Sequence, residues 1–462
     1  MISRFDIEQR VREWGLREDV VEKDYVIGWV LWGIGRQSVL RDHWAFKGGT
    51  SLKKCFIETY RFSEDLDFTV LPGGPVRADD VRPLLLDVLN DVAQNSGIDF
   101  SRRVPLLTEH SSGAYTEGRV YYVGPRNTPQ VASIRLDLSA SEVVVRPTML
   151  RNVAHPYPDA PRELGTVRCY SFEEVFAEKI RAMGERGRPR DLYDIVNLYR
   201  QENLIADPSE IRSILLEKCD NKKVLVPTLE AVLSTDARAE LESEWSNMLG
   251  HQLPQIPPLD DFIDELGRLF SWLEGAVERP RRPAITPYAP AEDSRWLPPP
   301  TVQTWGFAAP LETIRFAAVN HLLVELEYGG RTRLIEPYSL RRTRDDNLVL
   351  HANRANTGEH RSYRVDRIQS ARATSRAFLP RYAIEFSSAG PFSAPPAFST
   401  PAIPRSSRSR RARRRNDNQY RIECPVCGKR FTRSKPGNTK LNKHKTPNGY
   451  RCSGSGRRGY QI

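Results

Sequence analysis

The order of apolar and polar positions predicts helices first and then a mixture of strands and helices. Residues 1–40 have the pattern of helices, with an apolar stretch that ends at Leu31. Leu66, Phe68 and Val70 then alternate with polar residues, which is the period of a strand. Further strands are predicted at 119–124 and 131–138, and helices at 171–184, 190–201 and most of 205–275. A capping box of Ser171 and Glu174 is expected to begin the helix at 171–184.

Two segments interrupt this pattern and divide the chain. Residues 279–303 are rich in proline, and residues 389–418 are rich in Pro, Ser and Ala and then in arginine, which is typical of linkers. Residues 311–388, between them, again alternate as strands do. We therefore expect an α+β chain with a domain at 1–275, a Pro-rich linker at 276–308, a β domain at 309–390, a second linker at 391–419 and a small module at 420–462.

Length and charge add to this division. A chain of 462 residues is too long for one core. Residues 404–462, the basic tail, hold 18 Lys and Arg residues against two acids, whereas the rest of the chain holds 51 against 56. Such a tail predicts contact with DNA or RNA, and a flexible solubilising tail is the alternative. The sequence has no apolar run of about 18 residues and no apolar signal core at its start, so we expect a cytoplasmic protein with no membrane partner.

The predicted strand around Leu66 carries two acids that suit a metal site. Asp65 and Asp67 are one residue apart, so their side chains point to the same face of the strand. Asp137 has the corresponding place on a later strand. Paired carboxylates can hold the two divalent cations that phosphoryl transfer requires, whereas a single Asp-x-Asp is more often a solvated strand face.

A glycine turn precedes these acids and strengthens that interpretation. Gly48 and Gly49 permit a tight turn whose N–H groups can approach a phosphate. Thr50 and Ser51 add hydroxyl groups at the start of the next helix. Gly-Gly by itself is usually only a turn, but a Gly-Gly-Thr-Ser turn, a helix, an Asp-x-Asp strand and a later Asp in this order are far more specific.

The motifs of residues 10–275 resemble those of AbiEii/AbiGii-type nucleotidyltransferase toxins, which belong to the polymerase-β-like superfamily. The resemblance implies a polymerase-β-like domain with a helical C-terminal part. The motifs that carry it are Lys47-Gly48-Gly49-Thr50-Ser51-Leu52, Arg61-Phe62-Ser63-Glu64-Asp65-Leu66-Asp67-Phe68, Ala177-Glu178-Lys179-Ile180-Arg181-Ala182, Arg190-Asp191-Leu192-Tyr193-Asp194-Ile195 and Glu22-Lys23-Asp24-Tyr25.

The resemblance also implies roles for individual residues. Asp65 and Asp67 would bind Mg²⁺ or Mn²⁺, and Asp137 is inferred as the third acid. Lys179 would contact the nucleotide phosphates, and Asp191 would complete the catalytic set. The nucleotide-binding residues would be Lys47, Gly48, Gly49, Thr50, Ser51 and Arg190. A solvated helix lysine is the ordinary alternative for Lys179. The basic turn at 186–190 lies between two helices, which favours phosphates of NTP or RNA over a DNA minor groove.

These roles lead to a hypothesis with two alternatives. The enzyme would transfer NMP from an NTP to RNA, such as the 3′ end of tRNA, as a toxin or in phage defence. The family further implies an antitoxin partner. The alternatives are transfer to a protein or small-molecule hydroxyl, and a catalytically idle regulator that binds nucleic acid.

Residues 311–375 resemble a WYL domain, a small Sm-like β-barrel found in regulators that sense nucleic-acid ligands. The resembling stretches are Ile314-Arg315-Phe316-Ala317-Ala318, Val324-Glu325-Leu326-Glu327-Tyr328, Ile335-Glu336-Pro337-Tyr338-Ser339-Leu340 and Tyr363-Arg364-Val365-Asp366-Arg367-Ile368. The naming triplet is absent, since Leu348-Val349-Leu350 stands in its place. Tyr338, Arg364 and Arg367 are candidate ligand contacts. The alternative is that the two arginines pair with acids on the domain surface.

The last module contains a set of residues that suits zinc. Cys424 and Cys427 form a Cys-x2-Cys turn, and His444 and Cys452 follow. Together they can complete a tetrahedral structural Zn²⁺ site, which a module of this size needs as a staple. The spacing differs from that of the common Cys2His2 finger, and three unrelated reduced thiols are the alternative.

Overall fold

The computed structural model describes residues 1–57, 61–161, 163, 165–201, 207–285, 309–342, 347–386, 420–433, 438–446 and 451–461. The chain divides into two compact units, Met1–Ala397 and Phe398–Ile462. Most of both expected linkers, at 286–308 and 387–419, lies outside the described residues. Within the described residues, no helix is long and apolar enough to cross a membrane.

The first unit begins with three helices, as the sequence predicted. They are α1 (Arg4–Trp14), α2 (Glu18–Arg36) and α3 (Ser38–His43). Ser3 and Asp6 form a capping box at the start of α1. Most residues of α2 are buried, which places this helix inside the unit and explains its apolar composition.

A seven-stranded mixed sheet forms the centre of the unit. Its strands are β1 (Trp44–Lys47), β2 (Asp65–Val70), β3 (Leu106–Glu109), β4 (Tyr115–Tyr122), β5 (Ala132–Ser139), β6 (Met149–Asn152) and β7 (Thr166–Cys169), in the order β3-β4-β5-β2-β1-β7-β6. The pairs β2–β5 and β1–β7 are parallel, and the others are antiparallel. A short helix, α4 (Gly48–Ser51), and a π-helical turn (Leu52–Phe56) follow β1. The helix α5 (Ala78–Ser96) packs against α2.

The helical part after the sheet agrees with the prediction. It contains α6 (Phe172–Arg186), α7 (Pro189–Arg200), α8 (Pro208–Lys222), α9 (Leu229–Val232), α10 (Thr235–Leu249) and α11 (Leu259–Leu273). The Ser171 side chain accepts a hydrogen bond from the Glu174 N–H, as expected of an N-cap. The Glu174 carboxylate instead accepts hydrogen bonds from the N–H groups of Val145 and Arg146. The predicted capping box is therefore wrong in its second half, because a neighbouring loop takes that carboxylate.

A five-stranded antiparallel sheet follows within the same unit. Its strands are β8 (Leu322–Tyr328), β9 (Arg331–Arg342), β10 (Leu348–Arg354), β11 (His360–Arg364) and β12 (Ile368–Ala377), in the order β11-β10-β9-β8-β12. The helix α12 (Ala309–Val319) precedes them. The prediction of strand from residue 311 is thus wrong at its start, because Ile314, Ala317 and Ala318 are buried at helical spacing.

The second sheet packs against the first part of the unit through several contacts. The helix α12 contacts both α1 and the sheet that follows it. The Tyr193 hydroxyl on α7 donates a buried hydrogen bond to Asn320. Glu265 on α11 pairs with Arg200 and lies 3.7 Å from the His321 ring. The two segments expected as separate domains therefore share one packed unit, and their exact boundaries stay a prediction.

The second unit is small and has its own core. Its strands are β13 (Tyr420–Glu423), β14 (Arg430–Arg433) and β15 (Tyr460–Gln461), in the order β14-β13-β15. The core consists of Ile422, Leu441 and the buried Cys424 and Cys452. So few apolar side chains cannot stabilise a unit of this size by burial alone.

Candidate functional site

Strand register brings the three predicted acids together. In the parallel pair β2–β5, Asp67 lies opposite Asp137. Asp65 precedes Asp67 by two residues and therefore shares its face. In the antiparallel pair β1–β2, Lys47 lies opposite Asp67. Three neighbouring strands thus present three carboxylates and one ammonium group side by side.

The electrostatics of this cluster suit a divalent cation. Burial raises the pKa of Asp67 to about 6; Lys47 and Lys179 lower this pKa, while Asp65 and Asp137 raise it. Burial also raises the pKa of Asp137. Its Oδ1 atom is buried and accepts no hydrogen bond from any residue that the structure describes. A carboxylate oxygen without a donor, beside two further acids, fits the oxygen ligands that Mg²⁺ and Mn²⁺ prefer.

The glycine turn lies directly beside the acids. Gly48 has φ +75°, and a Cβ there would lie 2.3 Å from the Asp67 Oδ2 atom, so only glycine fits. The Thr50 hydroxyl donates to the backbone oxygen of Asp65. The Ser51 hydroxyl donates to the backbone oxygen of Gly48 over 2.8 Å. Both hydroxyl side chains are buried, so these contacts support a role in holding the turn against the acid strand.

Lys47 is surrounded by carboxylates rather than left open for phosphate. Its Nζ atom lies 3.1 Å from Glu178 and 3.6 Å from Glu142. Burial lowers the pKa of Lys47, but Glu178, Glu142 and Asp67 raise it more, so the ammonium group stays charged. Lys47 therefore provides a positive charge beside Asp67. A direct contact between Lys47 and NTP stays a prediction.

A buried ion-pair network joins α6 and α7 beside this cluster. The Lys179 Nζ atom lies 3.7 Å from Asp191, the expected partner, and 2.7 Å from Asp194. Arg186 donates two hydrogen bonds to Asp191, at 2.7 and 2.9 Å. Arg61 does the same to Asp194, at 2.6 and 2.7 Å.

Arg61 and Asp194 were not among the predicted site residues, although both stand in the motifs that carry the resemblance. Asp194 lies three residues after Asp191 on α7, which places the two acids on one face of the helix. Its side chain is fully buried. The helical spacing could have indicated Asp194, whereas Arg61 comes from a distant segment that sequence spacing does not reveal.

Arg190 differs from the other cations near the acids. Among the described residues it forms no ion pair, and its Nε atom is buried without a hydrogen-bond partner. Its contact with His251 is long, at 3.5 Å. Burial and Arg61 lower the pKa of Arg190, while the charges of Asp65 and Glu64 raise it. Arg190 is thus a half-buried cation whose buried Nε atom has no hydrogen-bond partner among the described residues.

The early motif at 22–25 has structural contacts. Glu22 accepts a hydrogen bond from the Arg126 N–H, and Lys23 pairs with Glu64 beside the acid strand. Asp24 is buried, and its carboxylate lies 2.8 Å from the Lys54 Nζ atom. These contacts hold α2 against the sheet.

The structure gives the three candidate ligand contacts of the second sheet different surroundings. Tyr338 is fully buried, and its hydroxyl donates to Glu336 over 2.7 Å. Arg364 donates to Asp366 at 2.9 and 2.6 Å, as the surface-pair alternative expects. Arg367 is buried. These contacts favour structural roles, and ligand binding by these residues stays a prediction.

The predicted zinc ligands form one cluster in the second unit. One donor atom from each of Cys424, Cys427, His444 and Cys452 lies within 4.8 Å of the others. The His444 Nε2 atom is buried without a hydrogen-bond partner, while Nδ1 lies 2.8 Å from the Asn442 backbone oxygen. A Cβ at Gly454 would lie 2.5 Å from the Cys424 sulfur, so only glycine allows this approach. Three thiols and one free imidazole nitrogen fit a tetrahedral Zn²⁺ site.

Two family models match the chain. Residues 29–266 match the nucleotidyl transferase AbiEii toxin of type IV toxin–antitoxin systems. Residues 310–373 match the WYL domain. The first match spans the acids, the glycine turn and the α6–α7 network, and the second spans most of α12 and of the five-stranded sheet. No curated protein matches the chain.

Two solved structures show weak similarity. The nucleotidyltransferase toxin MenT4 of Mycobacterium tuberculosis H37Rv is 22% identical, with a TM-score of 0.40, and the match covers 58% of this chain and 87% of that one. The proteasome accessory factor B/C of Arthrobacter aurescens is 13% identical, with a TM-score of 0.14, over 79% of this chain and 74% of that one. Both TM-scores are too low for either likeness to bear on function.

Proposed function

Because the chain belongs to the AbiEii nucleotidyl transferase toxin family, we propose that it transfers NMP from an NTP to RNA, with the 3′ end of tRNA as the acceptor. This transfer would act in the cytoplasm as part of a toxin–antitoxin or phage-defence system. The observation that carries the proposal is the single face formed by Asp65, Asp67 and Asp137, with its buried and unpartnered oxygen.

Each residue around this face would have its own role in the reaction. Asp65 and Asp67 would hold Mg²⁺ or Mn²⁺, which neutralises charge on the triphosphate and activates the acceptor hydroxyl. Arg190 would donate hydrogen bonds to the triphosphate from its half-buried position. Lys179, held by Asp191 and Asp194, adds a positive charge beside it. The Gly48 turn lets the backbone approach the phosphates closely.

The bonds exchange in one in-line displacement. The acceptor oxygen forms a bond to the α-phosphorus while the bond between that phosphorus and the pyrophosphate oxygen breaks, and pyrophosphate leaves. The Asp137 Oδ1 atom is free to accept the hydroxyl proton, and its raised pKa suits a general base.

The other parts of the chain would recruit or sense nucleic acid. The WYL domain at 310–373 packs against the helix that carries Asp191 and Asp194. Cys424, Cys427, His444 and Cys452 would hold a structural Zn²⁺ that stabilises the second unit. The basic tail would bind phosphates of RNA or DNA without sequence preference. An antitoxin protein would control the activity.

The proposal is tested with purified protein, Mg²⁺, each α-³²P-labelled NTP and total bacterial RNA. We expect label on a band of tRNA size from the wild type and none from Asp67→Asn. Asp220→Asn is the matched control, since Asp220 is an exposed surface acid, and should label as the wild type does. Label on protein instead of RNA would contradict the RNA acceptor. Full activity of Asp67→Asn would contradict the site.

A further inference from the structure

A pocket of about 530 Å³ lies at the carboxyl ends of β2 and β5, just past the acids. Its lining includes Thr69, Gly73, Gly74, Ala140, Glu142 and Thr148. The volume lies within the range of small-ligand sites. In open α/β sheets, ligands bind outside the carboxyl ends of parallel strands, and β2 and β5 are a parallel pair. The reaction proposed at the three acids assigns no role to this pocket.

The pocket continues the catalytic face. Thr69 pairs with Ser139 across β2 and β5, one same-face step beyond the pair of Asp67 and Asp137. Two residues of a strand span about 7 Å. Glu142 in the pocket wall lies 3.6 Å from the Lys47 Nζ atom, and Lys47 is the strand partner of Asp67. The pocket and the acids are therefore adjacent.

The groups suited to the triphosphate lie at the opposite end of β2. The Thr50 hydroxyl donates to the backbone of Asp65, so the glycine turn contacts the start of the strand. Asp65 and Glu64, also at that start, raise the pKa of Arg190 by their charge. The strand thus has phosphate-binding groups at one end, acids in the middle and the pocket at the other end.

We propose that this pocket holds the terminal nucleoside of the RNA acceptor, an inference that rests on the proposed function. In-line displacement places the attacking oxygen opposite the leaving pyrophosphate. Pyrophosphate beside Arg190 and the glycine turn therefore requires the acceptor to approach from the pocket. Its hydroxyl oxygen then bonds to the α-phosphorus, its proton passes to Asp137, and pyrophosphate leaves towards Arg190.

The lining of the pocket suits a nucleoside. Val70, Val143 and Val144 provide apolar surface for a base. The Glu142 carboxylate can accept a hydrogen bond from a ribose hydroxyl, a group that distinguishes RNA from DNA when it is the 2′-hydroxyl. Lys222, 2.8 Å away, and Lys47 neutralise Glu142, so its charge does not repel the phosphates of the acceptor strand.

The test is to fill the pocket with a larger side chain at a residue on its rim. Ala140 lines the pocket and is exposed, so Ala140→Trp occupies the space without removing a buried contact. We expect the KM for RNA to rise at least about tenfold, while the KM for NTP and the melting temperature stay unchanged. Ala239→Trp, on an exposed face of α10, is the matched control and should leave both constants unchanged. Ala140→Leu fills less space and should raise the KM for RNA by a smaller factor, which guards against misfolding of the tryptophan variant.

The outcomes separate this inference from the proposed function. If the wild type labels RNA and neither Ala140 variant changes the KM for RNA, the pocket assignment is wrong and the function stands. If Ala140→Trp raises the KM for NTP instead, the pocket holds the nucleobase of the NTP, which also overturns the inference. If the wild type labels no RNA, the proposed acceptor is wrong and the inference falls with it.

Discussion

The Tyr193 hydroxyl donates a 2.8 Å hydrogen bond to the Asn320 Oδ1 atom, and both side chains are buried. Tyr193 stands on α7 between Asp191 and Asp194, and Asn320 lies just before β8 of the WYL domain. The helix that carries two of the buried acids is thus fixed to the WYL domain. The domain therefore helps to hold the α6–α7 ion-pair network in place.

Tyr193→Phe should destabilise the first unit by about 1–3 kcal/mol, because the buried Asn320 oxygen loses its donor. Urea unfolding measures this change. Tyr199→Phe is the control on the same helix, since the Tyr199 hydroxyl forms no hydrogen bond within the described part of the chain. Equal effects of the two substitutions would show that the bond to Asn320 contributes nothing.

Mg²⁺ binding should weaken in acid because of Asp67. Burial, with help from Asp65 and Asp137, raises the pKa of Asp67 to about 6, so its neutral form persists up to that pH. The cation needs the ionised form, so its affinity should fall by up to about tenfold per pH unit below pH 6. Titration of metal-free protein with Mn²⁺, followed by electron paramagnetic resonance at pH 5, 6 and 7, measures it. Equal affinity at pH 5 and pH 7 would contradict the assignment of Asp67 as a ligand.

Asp194→Ala should cost about 3–5 kcal/mol of stability, because it leaves Arg61 and Lys179 buried without their shared partner. Asp220→Ala removes the same group from an exposed pair with Lys223 and should cost about 0–1 kcal/mol. Denaturant unfolding of both variants gives the comparison. A loss as small in Asp194→Ala as in Asp220→Ala would mean that the network does not stabilise the fold.

Zinc content should depend on the terminal cluster alone. Cys424→Ser removes one of four ligands and should lower bound zinc well below one ion per chain. Cys219→Ser changes a buried cysteine outside that cluster and should retain the metal. Elemental analysis of the two purified full-length variants measures their zinc content. The same zinc content in both variants would rule out the cluster as the zinc site.

The basic tail should set the salt dependence of nucleic-acid binding. Deletion of residues 404–462 removes 18 cationic residues, so binding should weaken and the slope of log affinity against log salt should flatten. Cys424→Ser in the full chain keeps the charge while losing a zinc ligand, which separates charge from folding of the second unit. An unchanged slope after the deletion would show that the charge excess is incidental.

The strand period was enough to place Asp65 and Asp67 on one face, since alternation in β2 is a local property. The position of Asp137 beside Asp67 depends on the parallel register of β2 and β5. The order of motifs suggested this register, and only the fold supplies it. The four Cys and His residues of the terminal cluster also follow from local spacing. The sequence located the helices α6 and α7, but it did not predict all of the ion pairs that their side chains form.

The parts that sequence missed depend on distant contacts. Arg61 reaches Asp194 across the fold, and the Glu174 carboxylate serves the loop at Val145 instead of its own helix end. The sequence predicted strand at the position of α12, because a short apolar run fits the period of a strand as well as that of a helix. The surroundings of Tyr338 likewise depend on a segment, near Arg381, that follows the sheet.

The register of β2 against β5 also links correct folding to the assembly of the acid set. A slip of one residue would turn the carboxylates of Asp65 and Asp67 to the other face of the sheet, because side chains alternate along a strand. A chain paired in that way would present no complete acid set. A copy with this slip would therefore be unable to carry out the transfer proposed above, even if the rest of its fold were intact.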